Sequence, residues 1–255
     1  MRLSGAFKST LDRRLRLIKR VLVLSVVLMC SAYFGELCFM RYRCAEAVRL
    51  INSVQKLKIG GTSSEEVRQL SERFGGEFHS GDGSNALAPN PSSYVLTVWS
   101  PYLLIRGNAL PMPGPGLRIW GVMATLYIED GHLAEVYLML AVKRSDELDL
   151  SSNVKVRNKL MIGPEGVSYY VVEPHVTGPP TEALEAEVSP EASSEERRKA
   201  FDFNTKCLTS LRECRHVCEI SPSAWKDLGE HRLRYEDGRE KVVDAECRQS
   251  LSRIK

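Results

Sequence analysis

Residues 117–142 read LRIWGVMATLYIEDGHLAEVYLMLAV, and this stretch decides the fold. Two apolar runs, Leu117 to Ile128 and His132 to Val142, flank the sequence Glu129-Asp130-Gly131. Both runs are rich in β-branched and aromatic residues, which favour strands. An Asp-Gly pair between such runs is a strong hairpin signal, because tight hairpin turns need the positive φ that glycine adopts without strain. The stretch therefore predicts two antiparallel strands.

Further strands are predicted on both sides of this hairpin. Upstream, Tyr94 to Trp99 forms a β-branched and aromatic run. Downstream, Leu160 to Ile162 and Val167 to Val172 flank a Gly-Pro-Glu-Gly turn, which predicts a second hairpin. The alternating run from Ala200 to Phe203 predicts one more strand.

A helix is predicted ahead of the strands. Ser63 and Glu66 have the spacing of a capping box, in which each side chain bonds the other residue's backbone N–H. Apolar residues then recur at helical spacing, and Gly75-Gly76 supplies the left-handed stop. A helix followed by antiparallel strands indicates an α+β domain, which we place over residues 41–173.

Residues 174–196 differ from this domain in composition. They contain four Pro and six Glu but no Lys, Arg or aromatic residue. Such a segment buries little apolar surface to offset the entropy of ordering. The composition predicts a flexible acidic segment, followed over residues 197–255 by the final strand and a cysteine-containing tail.

The N-terminus contains a membrane signal. Residues 21–40 read VLVLSVVLMCSAYFGELCFM, with Glu36 as the only charged residue. Twenty helical residues rise about 30 Å, the thickness of the hydrocarbon core of a bilayer. This pattern predicts one transmembrane helix, and the small residues at Cys30-Ser31-Ala32 leave a cleaved signal peptide as the alternative.

Basic residues predict the orientation of this helix. Five Lys or Arg residues lie in the eight positions before the span and two in the eight after it. The excess places residues 1–20, a basic tail, in the cytoplasm, and the C-terminal domain outside it. Residues 41–255 carry 28 bases and 30 acids, so they offer no concentrated cationic face, and we expect the membrane rather than nucleic acid as a partner.

The cysteines form the densest chemical feature. Cys30 and Cys38 lie in the predicted span and five more lie beyond it. In an oxidising compartment we expect a structural bridge between Cys207 and Cys214, with a turn between them, and a second between Cys218 and Cys247. Sequence alone does not fix this connectivity.

A thiol or metal site is the alternative use of the same cluster. The thiolates of Cys207 to Cys218 would then act with His216 or His175. The chain lacks the C-x-x-C pairs typical of zinc and redox sites. It also lacks the H-E-x-x-H, G-x-S-x-G and Walker-type motifs, so the sequence nominates no catalytic residue, cofactor or metal.

Two short segments carry a resemblance to known proteins. Leu57 to Val67, LKIGGTSSEEV, resembles the opening helix of many small bacterial envelope proteins. Together with Cys207-Leu208 through Cys214, it makes the chain similar to bacterial membrane-anchored envelope proteins that have no assigned activity. The resemblance implies an envelope location, here the inner membrane, and carries over no catalytic residue.

These observations predict a single-pass membrane protein with an extracytoplasmic α+β domain. The function that fits best is an interaction or assembly module, with the membrane and other envelope proteins as partners. The alternatives are a thiol or metal protein that uses Cys207 to Cys218, and a hydrolase whose site assembles only in three dimensions.

Overall fold

A helix of 51 residues, α1, begins at Gly5 and ends at Gln55. The computed structural model describes residues 5–80, 92–100, 120–143, 155–162, 166–174, 181–209, 214, 217–227, 232–234 and 240–242. The chain divides into two compact units, Met1–Tyr42 and Arg43–Lys255. The division falls inside α1, so residues from both units contribute to this helix.

The apolar side chains from Leu17 to Phe34 face outward. Leu24 is 61% exposed and Phe34 is 68% exposed, and the apolar window that could cross a membrane has no buried residue. By length and composition, the described chain has one helix able to span a bilayer. The predicted span is helical throughout, and the same helix includes residues 5–20.

The second unit is built around a seven-stranded antiparallel sheet with the strand order β1-β2-β3-β4-β7-β6-β5. The strands are β1 (Glu77–His79), β2 (Ser92–Trp99), β3 (Trp120–Glu129), β4 (His132–Lys143), β5 (Lys155–Ile162), β6 (Val167–Pro174) and β7 (Thr181–Val188). With the helices that precede and follow it, the sheet confirms the predicted α+β class.

Both predicted hairpins are present. β3 and β4 pair from Trp120–Val142 to Glu129–His132, and Asp130 and Gly131 make the turn with φ of 48° and 77°. β5 and β6 form the second hairpin. The start of β4 also bonds to the segment that follows α1, since Gly60 N–H donates to the Leu133 carbonyl at 2.7 Å. The hairpin is therefore tied at its turn to the segment that starts the next helix.

α2 (Ser64–Phe74) follows the predicted helix closely. The Ser63 hydroxyl accepts from Glu66 N–H, and the Glu66 carboxylate accepts from Ser63 N–H at 2.9 Å, which completes the capping box. Gly75 ends the helix with φ of 64°, the left-handed conformation that glycine adopts without a Cβ penalty. Two caps of this kind are each worth about 1 kcal/mol of helix stability.

The expectation that residues 174–196 are flexible is wrong for residues 181–196, and residues 175–180 lie outside the described ranges. Thr181–Val188 forms β7, which pairs with β4 on one side and β6 on the other. Its alternate residues Leu184, Ala186 and Val188 are buried at 2%, 0% and 0% exposure. Glu185 and Glu187 occupy the opposite face, so the strand buries an apolar row despite its composition. The sheet domain therefore does not end at residue 173.

The predicted strand from Ala200 to Phe203 is also wrong. Ala200 is the last residue of α3 (Ser194–Ala200), which begins after a second capping box formed by Ser193 and Glu196. The box fixes the start of a helix, and the buried Phe201 and Phe203 follow its end. The alternation of these residues reflects packing after a helix and not a pleated strand.

One face of the sheet forms the core. Side chains on this face of β2, β3, β4 and β7 are buried almost completely: Leu96, Val98, Val122, Ala124, Leu126, Val136, Leu138, Leu140, Leu184, Ala186 and Val188. α2 contacts β2 and β4, and α3 contacts β6 and β7. Ala47, Leu50 and Val54 of α1 are buried as well. Helices therefore cover one side of an antiparallel sheet, as the α+β class requires.

Short elements complete the described C-terminal part. They are a 3-10 helix (Thr205–Leu208), α4 (Val217–Ile220), α5 (Pro222–Asp227) and a small hairpin of β8 (Arg232–Arg234) and β9 (Glu240–Val242). α4 contacts β7, and β8 contacts β5. The cysteine-containing segment is thus part of the folded domain.

Candidate functional site

The second face of the sheet carries tyrosines and carboxylates side by side. Tyr127 on β3 lies opposite Glu135 on β4, and Tyr137 lies opposite Glu187 on β7. The Tyr127 and Tyr137 rings meet edge to face with centroids 5.3 Å apart. We call these four residues, with Tyr170 of β6, the tyrosine–carboxyl patch. All five side chains are half-buried, so the patch combines partial exposure with a reduced local dielectric.

Two carboxyl groups of this patch interact directly. Burial, the charge of Glu187 and a hydrogen bond to Glu187 raise the pKa of Glu135 from 4.5 to about 7. Burial also raises the pKa of Tyr137, and the neighbouring Glu135 and Glu187 carboxylates add to this effect. Near neutral pH the Tyr137 phenol is therefore a hydrogen-bond donor, and the Glu135 carboxyl is partly protonated.

Further along the strands from the tyrosine–carboxyl patch, the same face of the sheet carries apolar side chains. Met139 is 3% exposed and packs against Trp99, Met123 and Ala141. Trp99 lies over Gly121, where an added Cβ would approach the Trp99 ring to less than 2 Å, so this position needs glycine. The tryptophan is fixed further by Arg43, whose Nε donates to the Trp99 carbonyl at 3.2 Å.

The cysteine segment forms a second cluster. Cys207 and Cys214 form a disulfide with Cα atoms 5.4 Å apart, the pairing that the sequence predicted. Cys214 adopts a φ of 59°, which gives the turn that this pairing needs. Both sulfurs lie 3.8 Å from the Glu219 carbonyl, and Asn204 Nδ2 donates to the same oxygen at 3.1 Å. The bridge is fully buried and joins the 3-10 helix to Cys214, which precedes α4 in the chain.

Two other cysteines have different states. Cys218 is also disulfide-bonded, and its predicted partner Cys247 lies outside the described residues, so the second pairing stays a prediction. Cys44 of α1 is a buried free thiol, and its sulfur donates to the Leu208 carbonyl at 3.6 Å. Burial raises the pKa of Cys44 to about 11, against a smaller opposing effect of the Trp120 indole. A thiol with this pKa is a poor nucleophile at neutral pH.

The metal interpretation of the cysteines has little geometric support. Sulfurs joined in a disulfide are not thiolate ligands, and His175 and His216 lie outside the described residues. Within the described ranges, no group of three or more His, Cys, Asp or Glu residues could hold a metal ion. The segment is better explained as a structural clasp.

The sequence did not point to the tyrosine–carboxyl patch. Its members come from four strands, and β7 was not expected to be a strand at all. The available signal was the alternation in Leu184, Glu185, Ala186 and Glu187, which places two glutamates on one face of a strand. Comparison of the chain with family models, curated proteins and solved structures finds no match. The function is therefore argued from the described residues alone.

Proposed function

We propose that the chain is a single-pass protein of the bacterial inner membrane whose Arg43–Lys255 unit lies outside the cytoplasm as an interaction or assembly module. The observation that carries this proposal is the outward exposure of the apolar side chains of α1 from Leu17 to Phe34. The core helix of a soluble protein buries such a surface, whereas a membrane span exposes it to lipid. The apolar run also continues past Cys30-Ser31-Ala32 to Phe39-Met40, which favours an anchor over a cleaved signal peptide.

An independent observation supports the external location. Disulfides persist in oxidising compartments and are rare in the cytoplasm, and the Arg43–Lys255 unit contains the Cys207–Cys214 bridge. The distribution of basic residues before and after the span favours the same orientation. Charge bias and thiol chemistry are unrelated properties, so their agreement strengthens the topology.

The tyrosine–carboxyl patch supports the interaction role. Half-buried tyrosines offer large, rigid contact area with a polar end, and they are enriched where proteins meet. These cysteines, in contrast, have structural roles: Cys207 and Cys214 are bridged to each other, and Cys44 is a buried thiol with a raised pKa. Binding is therefore the better supported use of this domain than thiol chemistry.

Reporter fusions at Lys255 test the topology. We expect a reporter enzyme that is active only after export to be active in this fusion, and a fluorescent protein that folds only in the cytoplasm to stay dark. As a control, five neutral substitutions at Arg13, Arg14, Arg16, Lys19 and Arg20 should reduce the exported signal by removing the basic flank. A fusion that fluoresces and lacks exported activity would contradict the proposal.

Photo-crosslinking in intact cells tests the interaction role. A photoreactive phenylalanine analogue at Tyr170 keeps an aromatic ring in the patch, and the same analogue at Glu72, which is 61% exposed on α2, is the matched control. We expect covalent adducts of defined higher mass from position 170 at several times the yield from position 72. Equal yields, or no adduct from either position, would argue against a binding role for the patch.

A further inference from the structure

Two carboxyl groups meet where the pairing of β4 with β7 ends. The register between these strands runs from Lys143–Thr181 to Val136–Val188. Glu187 precedes Val188 on β7, and Glu135 precedes Val136 on β4. Both side chains lie on the same face of the sheet, next to this last pair. The ends of a strand pair open more easily than its middle, so a change in charge here acts where the ladder is weakest.

A hydrogen bond between two carboxyl groups requires a proton. An ionised carboxylate only accepts hydrogen bonds, so one member of a bonded pair must be protonated to donate. Glu135 is hydrogen-bonded to Glu187, and Tyr137 bonds to Glu135 as well. The register places both half-buried carboxyl groups on one face of the sheet, so a proton on Glu135 can be donated to Glu187.

We propose that Glu135 and Glu187 share one proton and form a pH-sensitive latch at the end of the β4–β7 ladder. When the pair holds its proton, a hydrogen bond joins the two strands. When the proton is lost, two carboxylates face each other across the strands, and their repulsion loosens the end of β7. Neither step involves a covalent change, and the released proton goes to solvent.

The groups around the pair favour retention of this proton. Tyr127 faces it from β3, Tyr137 from β4 and Tyr170 from β6, and none of them is cationic. Glu191, which follows β7, adds another negative charge, and its carboxylate accepts from the Ser189 hydroxyl. Glu185 is the other carboxyl on this face of β7. Negative charge and partial burial both disfavour ionisation of Glu135.

The direction of the pH effect follows from these surroundings. Because the folded-state pKa of Glu135, about 7, is higher than its ordinary value of 4.5, the stabilising effect is complete below about pH 4.5. It decreases as the pH rises between these values and is lost above about 7. If the domain lies outside the cytoplasm, as proposed above, the latch responds to the pH of that compartment. The latch itself does not depend on the topology.

Unfolding of the full-length protein in detergent, at about pH 5 and pH 8, tests the latch. We expect this pair to make the folding equilibrium constant of the wild type about tenfold larger at the lower pH. This factor already allows for solvent screening of half-buried groups. Glu135→Gln keeps a donor for Glu187 and cannot ionise, so this variant should lose that tenfold dependence. Glu187→Gln removes the facing charge but not the burial of Glu135, so it should reduce this dependence without abolishing it. Glu129→Gln, at an exposed position on β3, should behave as the wild type.

Infrared spectroscopy gives a second measurement that does not depend on how the variants fold. The wild type should show a protonated carboxyl signal at about pH 6 that disappears by about pH 8.5, and the signal should be missing from Glu135→Gln. A wild type without this signal would overturn the proposal, and so would a folded Glu135→Gln variant with the full wild-type pH dependence. Because both experiments use purified protein, they separate failure of the latch from failure of the topology.

Discussion

Replacing Ala186 with proline is expected to unfold the Arg43–Lys255 unit under conditions in which the wild type is folded. Ala186 is completely buried in β7 and pairs with Leu138 on β4 and Tyr169 on β6. Proline removes a backbone donor from a strand with neighbours on both sides, and its ring disturbs the packing of both. A loss of roughly 3 kcal/mol or more is a large part of the stability of an ordinary domain, about 5–15 kcal/mol.

The chain offers a matched control close by. Ser194 is the first residue of α3, where proline is tolerated because that N–H has no partner within the helix. Ser193 before it has φ of −64° and ψ of 160°, which is compatible with a following proline. We expect Ser194→Pro to keep nearly the wild-type midpoint in thermal unfolding followed by tryptophan fluorescence. An Ala186→Pro variant as stable as Ser194→Pro would show that β7 is dispensable.

The second large effect concerns the disulfide. Replacing Cys207 with serine should lower the free energy of unfolding by about 2–3 kcal/mol, because the bridge closes a short loop in the unfolded chain. The substitution also leaves a buried hydroxyl near the Glu219 carbonyl. Urea unfolding of the full-length protein under oxidising conditions measures this loss.

Cys30→Ser is the control for that substitution, since Cys30 is exposed and unbridged. It should leave the urea midpoint unchanged. Reducing agent should lower the midpoint of the wild type and of Cys30→Ser, and it should have a smaller effect on Cys207→Ser. Equal midpoints for the wild type and Cys207→Ser would mean that the bridge does not stabilise the domain.

The sequence predicted those elements whose signals are local. The β3–β4 hairpin follows from Asp130-Gly131 between two long apolar runs, and α2 follows from the Ser63–Glu66 capping box and Gly75. Each signal lies within a few residues, and the backbone preferences of those residues agree with the final fold.

β7 was missed because its identity comes from distant partners. Alanine and glutamate favour helices over strands in isolation, and the flanking prolines suggest a linker. The strand forms because β4 and β6 supply backbone partners on both sides and the core accepts one apolar row. The Ser193–Glu196 capping box, in contrast, was a local signal. It would have predicted α3, which begins in the segment expected to be flexible and ends where a strand was expected.

The same difference applies to the candidate site. The Cys207–Cys214 pairing was predictable because the two residues are close in the chain and a turn brings them together. The meeting of Glu135 with Glu187 depends on strand order and on a register that ends at Val136–Val188. A shift of one residue would move Glu187 to the core face, so no local pattern could establish this contact.

Disulfide mapping in intact bacterial cells tests the external location of the folded unit most directly. Free thiols are blocked with a membrane-permeable alkylating agent before lysis, and the peptides are then analysed by mass spectrometry without reduction. The account predicts that the Cys207 and Cys214 peptides are joined, and that buried Cys44 is alkylated only after denaturation. Alkylation of both Cys207 and Cys214 before any reduction would contradict it, because the unit would then lie in a reducing compartment.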